Sequence, residues 1–188
     1  MTAAPRMQAD KEDSTRSFAW YHAGPFGRGC VLCFGEAAER VWLPAPTKEG
    51  EARLLQEADE YLAKHGADRR EGGFAAKVAK RLERMFTTGE DVSDIPIVPP
   101  PGGAFITEVW RQCRRIPRSS VATYMELAAK AGNIKATRAA GNAMQSNPLP
   151  LLVPCHRVLS AGQRLGHYGG GSEMKQHLLE REGAAYHK

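Results

Sequence analysis

The sequence has no run of apolar residues approaching the roughly 18 that a bilayer-crossing helix needs, so no membrane-spanning helix and no membrane partner are expected. Residues 1–17 are polar and mixed in charge, without the apolar segment of a secretion signal. They read as a disordered tail, and the expected setting is intracellular. Cysteine is scarce, with Cys30, Cys33, Cys113 and Cys155 the only four in 188 residues. In a reducing compartment they are expected as free thiols rather than disulfides. No second cysteine pair follows Cys30-x-x-Cys33, and residues three apart on a strand point to opposite faces. The pair is therefore expected to be structural, with no metal and no cofactor. No internal repeat is visible.

What is present is charge, unevenly spread. Residues 1–103 carry 14 Lys and Arg against 16 Asp and Glu, a net of −2, whereas residues 104–188 carry 12 against 5, a net of +7. A basic half joined to a mildly acidic one points to a polyanionic partner for the second half alone. Plain solubility charge is the alternative reading.

The punctuation of the chain divides it into a tail (1–17), an N-terminal α/β part (18–92), a Pro-rich linker (93–103) and a C-terminal part (104–188). Strand formers such as Trp20, Tyr21, Val31, Leu32, Val41 and Trp42, broken by Gly24-Pro25, Gly27, Gly29 and Gly35, predict a β-hairpin or meander over 18–44. Helical spacing follows over 51–65 and 74–86. In the second half, Phe105, Ile106, Val109, Trp110 and Cys113 share one helical face. Thr123-Tyr124-Met125-Glu126 is a capping-box pattern. Gly132-Asn133 then makes a turn between two short helices, the second over 135–145, which fits a helix-turn-helix. That second helix presents Arg138, Asn142 and Gln145 beside Ala136, Ala139, Ala140, Gly141 and Ala143. The small residues fit either tight packing or close approach to a nucleic-acid groove.

Cys155 stands apart from the other cysteines. It lies in Pro154-Cys155-His156-Arg157-Val158, directly after the apolar run 149–153. A free thiol with a pKa of about 8.5 is mostly protonated at neutral pH, and a neighbouring imidazole and Arg157 are expected to shift that balance. Cys113, on an apolar helical face, reads as buried and inert. Glu182 is unusual in the last turn of a predicted helix (173–182), where the dipole disfavours a carboxylate by about 0.3–1 kcal/mol. It reads either as a solvated surface residue or as a group that orients His156.

Together these segments resemble the O6-alkylguanine-DNA alkyltransferase family over about 105–183. The resemblance rests on Phe105…Val109-Trp110, Ile116-Pro117, Thr123-Tyr124…Leu127-Ala128, Gly132-Asn133, Arg138-Ala139…Gly141…Ala143, Asn147-Pro148, the Pro-Cys-His-Arg-Val pentapeptide at 154–158, Gly166-His167-Tyr168…Gly170-Gly171, Lys175, Leu178-Leu179 and Glu182-Gly183. It implies an α+β two-domain fold: a β-rich N-terminal domain with helices, then a mainly helical domain with a winged-helix-like helix-turn-helix and the Cys155 segment. It also implies transfer of an alkyl group from O6-alkylguanine, or O4-alkylthymine, to Cys155, once per molecule.

In that resemblance His156 takes the thiol proton through a water, and Glu182 holds the imidazole. Tyr124 donates to the leaving guanine, and Asn147 braces the turn. Backbone groups of Val158 and Cys155, with Pro150, Tyr168 and Gly169, receive a base flipped out of the duplex. Arg138, Ala139, Asn133 and Asn142 contact the minor groove of double-stranded DNA. A monomer in the cytoplasm or nucleoid, or in the nucleus of a eukaryote, completes the implied picture. Departures are also visible: Ile106 replaces a polar DNA contact, Met125 a frequent polar residue, the 160–165 loop is short, and Gly169 stands where a side chain is common.

Overall fold

The computed structural model describes residues 15–187. The expected tail therefore lies outside the described residues, except for residues 15–17. Arg16 and Ser17 already belong to the first strand, where Arg16 pairs with Glu39 (2.7 Å). The strand thus takes in the last two residues of the predicted tail.

Strands β1 (Arg16–His22), β2 (Arg28–Phe34) and β3 (Ala37–Ala45) form an antiparallel meander in that order. The β2 burial pattern shows why the sequence there reads as a continuous apolar run. Both faces of the strand are covered, so alternation between apolar and polar disappears. On one face Cys30 and Leu32 pack with Phe18 and Trp42 against Ala58 and Leu62 of helix α1 (Lys48–Lys64). On the other, Val31 and Cys33 pack against Ala75, Val78 and Leu82 of α2 (Gly73–Thr88). The period-two rule thus places Cys30 and Cys33 in different cores.

The second cluster continues without a break into the rest of the chain. It takes in Val109 and Cys113 of α3 (Ala104–Arg114), Leu127 of α4 (Tyr124–Lys130), Ala140 of α5 (Thr137–Gln145) and Leu178 of α6 (Gly171–Glu182). Short strands β4 (Ala122–Thr123) and β5 (Val158–Leu159) pair in parallel and set the active-site segment beside α4. The capping box forms with both arms: Glu126 N–H donates to Thr123 Oγ1 (3.2 Å) and Thr123 N–H to Glu126 Oε2 (2.7 Å). Trp110 is buried because its indole N–H finds the Ala143 carbonyl (2.8 Å), locking α3 to α5.

The Pro-rich segment 93–103 is not a free tether. Ala38 N–H donates to Pro96 C=O and Val98 N–H donates to Ala38 C=O, both at 2.8 Å on either side of Ile97, so the segment runs along β3 as a short parallel bridge. Sequence composition marks proline there but does not reveal which carbonyls and N–H groups remain to pair.

Candidate active site

The segment leading to Cys155 folds around one carbonyl. Val153 C=O accepts from Asn147 Nδ2 (2.8 Å) and from Cys155 N–H (2.7 Å). The second bond closes an inverse γ-turn at Pro154, whose φ of −77° and ψ of 66° suit a proline. Asn147 Oδ1 also accepts from Leu149 N–H (3.0 Å), so one side chain clasps both ends of the loop. Within the loop Leu151 has φ +75°, a left-handed conformation costing of order 1–3 kcal/mol for a side-chain-bearing residue. The Asn147 clasp holds that strain in place.

Cys155 is 8% exposed and lies in a cavity of about 280 Å³. Tyr124, Pro150, Tyr168 and Gly169 line it, with Leu43 from β3, and Gly141, Met144 and Gln145 of α5 stand at its side. Of the residues expected around the base, Val158 is the exception. It is fully buried, its N–H donates to Cys155 C=O, and its C=O accepts from Lys175 Nζ (2.8 Å). Its N–H is thus engaged inside the protein, while the carbonyl keeps a second acceptor lone pair beyond the one that Lys175 uses.

Behind the cysteine lies a buried charge cluster. Glu182 is 2% exposed, so the solvated surface reading of this residue is overturned. Arg157 grips its carboxylate through Nε to Oε2 and Nη2 to Oε1, both 2.8 Å, and His156 Nε2 reaches Oε1 at 3.0 Å. A bidentate guanidinium offsets the dipole penalty that made this position look wrong. Arg157 Nη1 also donates to Ile116 C=O (2.7 Å), tying the end of α3 to the cluster. The carbonyls at the end of α6 are satisfied from the 117–119 segment, with Arg118 donating to Arg181 C=O (3.1 Å) and Ser119 to Glu182 C=O (2.5 Å).

These contacts fix protonation states. Burial alone would raise the Glu182 carboxyl, but hydrogen bonds from His156 and Arg157 outweigh it and leave it at about 2. Glu182 is therefore a carboxylate, and His156 Nε2 is the nitrogen that donates to it. Burial, opposed by Glu182, holds the imidazole below its ordinary value. At neutral pH it is uncharged, and its Nδ1, which has no protein partner, carries the lone pair.

The cysteine itself departs from expectation. Burial pushes its thiol up, against the lowering effects of the Asn147 amide and the Lys175 ammonium. The resting group is a thiol, and Arg157 is occupied with Glu182 instead of acting on the sulfur. The cation that does act is Lys175, which sequence reasoning left without a role. Lys175 is fully buried, and its three N–H donors meet the carbonyls of Val158 (2.8 Å), Leu165 and His167 (3.5 Å). A long cation on the inner face of a helix was the available signal.

Cys113 is completely buried, with its thiol held well above the ordinary range by burial. Cys30 and Cys33 are each pushed up by burial to about 12. Among the described residues no group of three or more His, Cys, Asp or Glu side chains is placed to hold a metal ion, and no helix is long and apolar enough to cross a membrane.

The outer surface beside the cavity carries the expected polar face. Arg138 and Asn142 are exposed on α5, Ala139 is half-buried, and Ala140 and Ala143 turn inward. Asn133 is exposed, but its Oδ1 accepts from Lys135 N–H (3.1 Å), capping the turn into α5. Tyr124, at the first position of α4, is half-buried and reaches the cavity.

Comparison with known proteins agrees with this geometry. Residues 104–184 match the family described as 6-O-methylguanine DNA methyltransferase, DNA binding domain. The chain is 33% identical over 181 residues to the methylated-DNA–protein-cysteine methyltransferase of Haemophilus influenzae, covering 92% of this chain and 89% of that protein. Its fold is similar to the crystal structure of Mycobacterium tuberculosis O6-methylguanine methyltransferase, with a TM-score of 0.67 and 27% identity over 90% of this chain and 92% of the other. The Mycobacterium tuberculosis OGT in complex with DNA gives a TM-score of 0.69 at 26% identity, over 89% and 92% of the two chains. The likeness runs along nearly the whole length of both chains, and the chain belongs to the methylated-DNA–protein-cysteine methyltransferase family.

Proposed function

We propose that this protein repairs DNA by moving an alkyl group from O6 of guanine to Cys155. The carrying observation is a cavity-facing thiol backed by a buried His156–Glu182–Arg157 cluster. The sulfur attacks the alkyl carbon in line, the carbon–oxygen bond breaks, and a thioether remains on Cys155 while guanine is restored. His156 Nδ1 takes the thiol proton through a water. Tyr124 O–H donates to the leaving guanine and is reprotonated in turn, so the proton lost by sulfur ends on the base. Tyr168 Oη, buried with no protein partner, supplies a further hydrogen bond to the occupant of the cavity. Since a thioether does not leave again under these conditions, each molecule reacts once.

A base within the duplex cannot reach the cavity, so the damaged nucleotide is flipped out. The small face of α5 fits close approach to the minor groove, with Ala139 and Asn142 at the contact, Asn133 at its start, and Arg138 filling the stack. The protein acts as a monomer inside the cell, where genomic DNA is.

The test is intact-mass measurement after incubation with duplex DNA containing O6-methylguanine. One added methyl per chain, mapped by peptide mass to Cys155, is expected; an unmodified protein that still binds the lesion tightly would replace this reading with a non-catalytic lesion binder. Arg138→Ala is expected to slow transfer from duplex DNA about tenfold, the size of one lost arginine contact. Transfer from a free O6-alkylated guanine base should be unaffected. Parallel rates on the two substrates check this, and equal losses on both would remove Arg138 from the DNA contact.

A further inference from the structure

One wall of the Cys155 cavity comes from the opposite end of the chain. Strand β3 is pinned to the active-site loop by a hydrogen bond from Val41 N–H to Pro148 C=O (3.0 Å). Two residues on, and so on the same face of the strand, Leu43 lines the cavity. Trp42 between them turns the other way, into the cluster with Cys30 and Leu32. Next to Leu43 is Gly169. A Cβ built on Gly169 would lie 3.5 Å from Leu43 Cδ1, an ordinary van der Waals contact, and its φ is outside the left-handed region. Neither backbone nor crowding requires glycine there, so its effect is to leave space that Leu43 bounds.

The polarity of the wall is equally specific. None of the lining residues is Lys, Arg, Asp or Glu, His167 being the one basic side chain among them. The buried Lys175 ammonium has its donors on three backbone carbonyls. An anionic substituent beside Leu43 therefore loses its water without gaining a salt-bridge partner from Lys or Arg at this wall.

We propose that Leu43 is a specificity-determining residue for alkyl transfer. With Gly169 it forms an apolar rim that contacts uncharged, bulky O6 substituents and selects them over charged ones of similar size. This rests on the alkyl-transfer reading above, and it gives the N-terminal sheet a direct part in choosing the substrate.

Transfer rates from duplexes carrying O6-methylguanine, O6-benzylguanine or O6-carboxymethylguanine test it. In the wild type, benzyl is expected to transfer faster than carboxymethyl; the reverse order overturns the proposal. Leu43→Ala is expected to lower benzyl transfer about tenfold, the scale of losing a few methyl groups from an apolar pocket, and methyl transfer less. The benzyl-to-methyl ratio therefore falls, and Leu43→Met recovers most of it. Thermal melting confirms that each variant is folded. A ratio that stays level or rises in folded Leu43→Ala overturns the proposal, as does equal loss on both substrates. No transfer by the wild type from any duplex overturns the alkyl-transfer reading, and this proposal with it.

Discussion

Glu182→Gln is expected to slow alkyl transfer by about 10²–10³-fold, within the roughly 10²–10⁴-fold that a positioned general base contributes, and to destabilise the fold by about 3 kcal/mol. The carboxylate receives three hydrogen bonds, two from Arg157 and one from His156. A glutamine amide offers one acceptor oxygen and turns an NH₂ toward donors that also need acceptors. The Arg157 guanidinium stays buried at about 2% exposure but loses its counter-ion, which is the costly way to break a buried pair. His156 loses the anion that keeps Nε2 protonated, so the tautomer with a free Nδ1 is no longer favoured. Single-turnover transfer kinetics and urea unfolding check the two effects. A folded variant that transfers at the wild-type rate would show that the imidazole needs no positioning.

The same substitution changes the acid limb of stability. In the wild type the Glu182 carboxyl lies at about 2 against an ordinary 4.5. Between those values the unfolded chain binds the proton that the folded chain refuses. The stabilisation from this group is complete above 4.5 and lost as pH falls toward 2. The lowered imidazole of His156 acts in the same direction, its contribution fading as pH drops below its ordinary 6.5. Glu182→Gln removes the first contribution, so its stability, lower at neutral pH, converges on that of the wild type as pH falls through the acid range.

Local chemistry in the sequence specified much of the fold. The strand residues of the meander, the Thr123–Glu126 capping box and the glycine after α6 each report a short-range rule. The proposed acceptor stood out in the sequence too, since Pro154-Cys155-His156-Arg157-Val158 places a thiol beside a base within five residues. What local rules do not contain is the partner of a buried charge. Glu182, at an unfavourable helix position, read either as a solvated surface residue or as a group that orients His156, and only the packing of α6 against the 155–157 turn brings Arg157 to it. Arg157 itself read as a cation acting on the thiol, yet burial gave it a carboxylate 25 residues away. Burial likewise reversed the expected shift of Cys155. Leu43 was illegible for a different reason: it reads as one more strand residue until the Val41–Pro148 hydrogen bond docks β3 beside the cysteine.

Lys175→Met is expected to reduce transfer about 10²-fold at neutral pH, the penalty for misplacing reacting groups by about an ångström. Burial lowers the Lys175 ammonium to about 8, so at pH 7 it remains charged and its three N–H groups match three carbonyls. Two of those carbonyls, at Leu165 and His167, belong to the loop that carries Tyr168 and Gly169 to the cavity; the third, at Val158, follows the active-site turn. Methionine fills a similar volume without donors. It leaves those carbonyls unpaired, and the loop is expected to move outward to reach water. It also removes the charge that lowers the Cys155 thiol, so the alkaline rise in thiol reactivity should shift to higher pH. Two measurements separate these effects. Iodoacetamide alkylation across pH reads the thiol alone, and transfer from O6-methylguanine DNA reads thiol and pocket together. A larger loss in transfer than in iodoacetamide reactivity at the same pH identifies loop placement as the greater contribution of Lys175. Equal losses would assign its whole effect to the charge beside the sulfur.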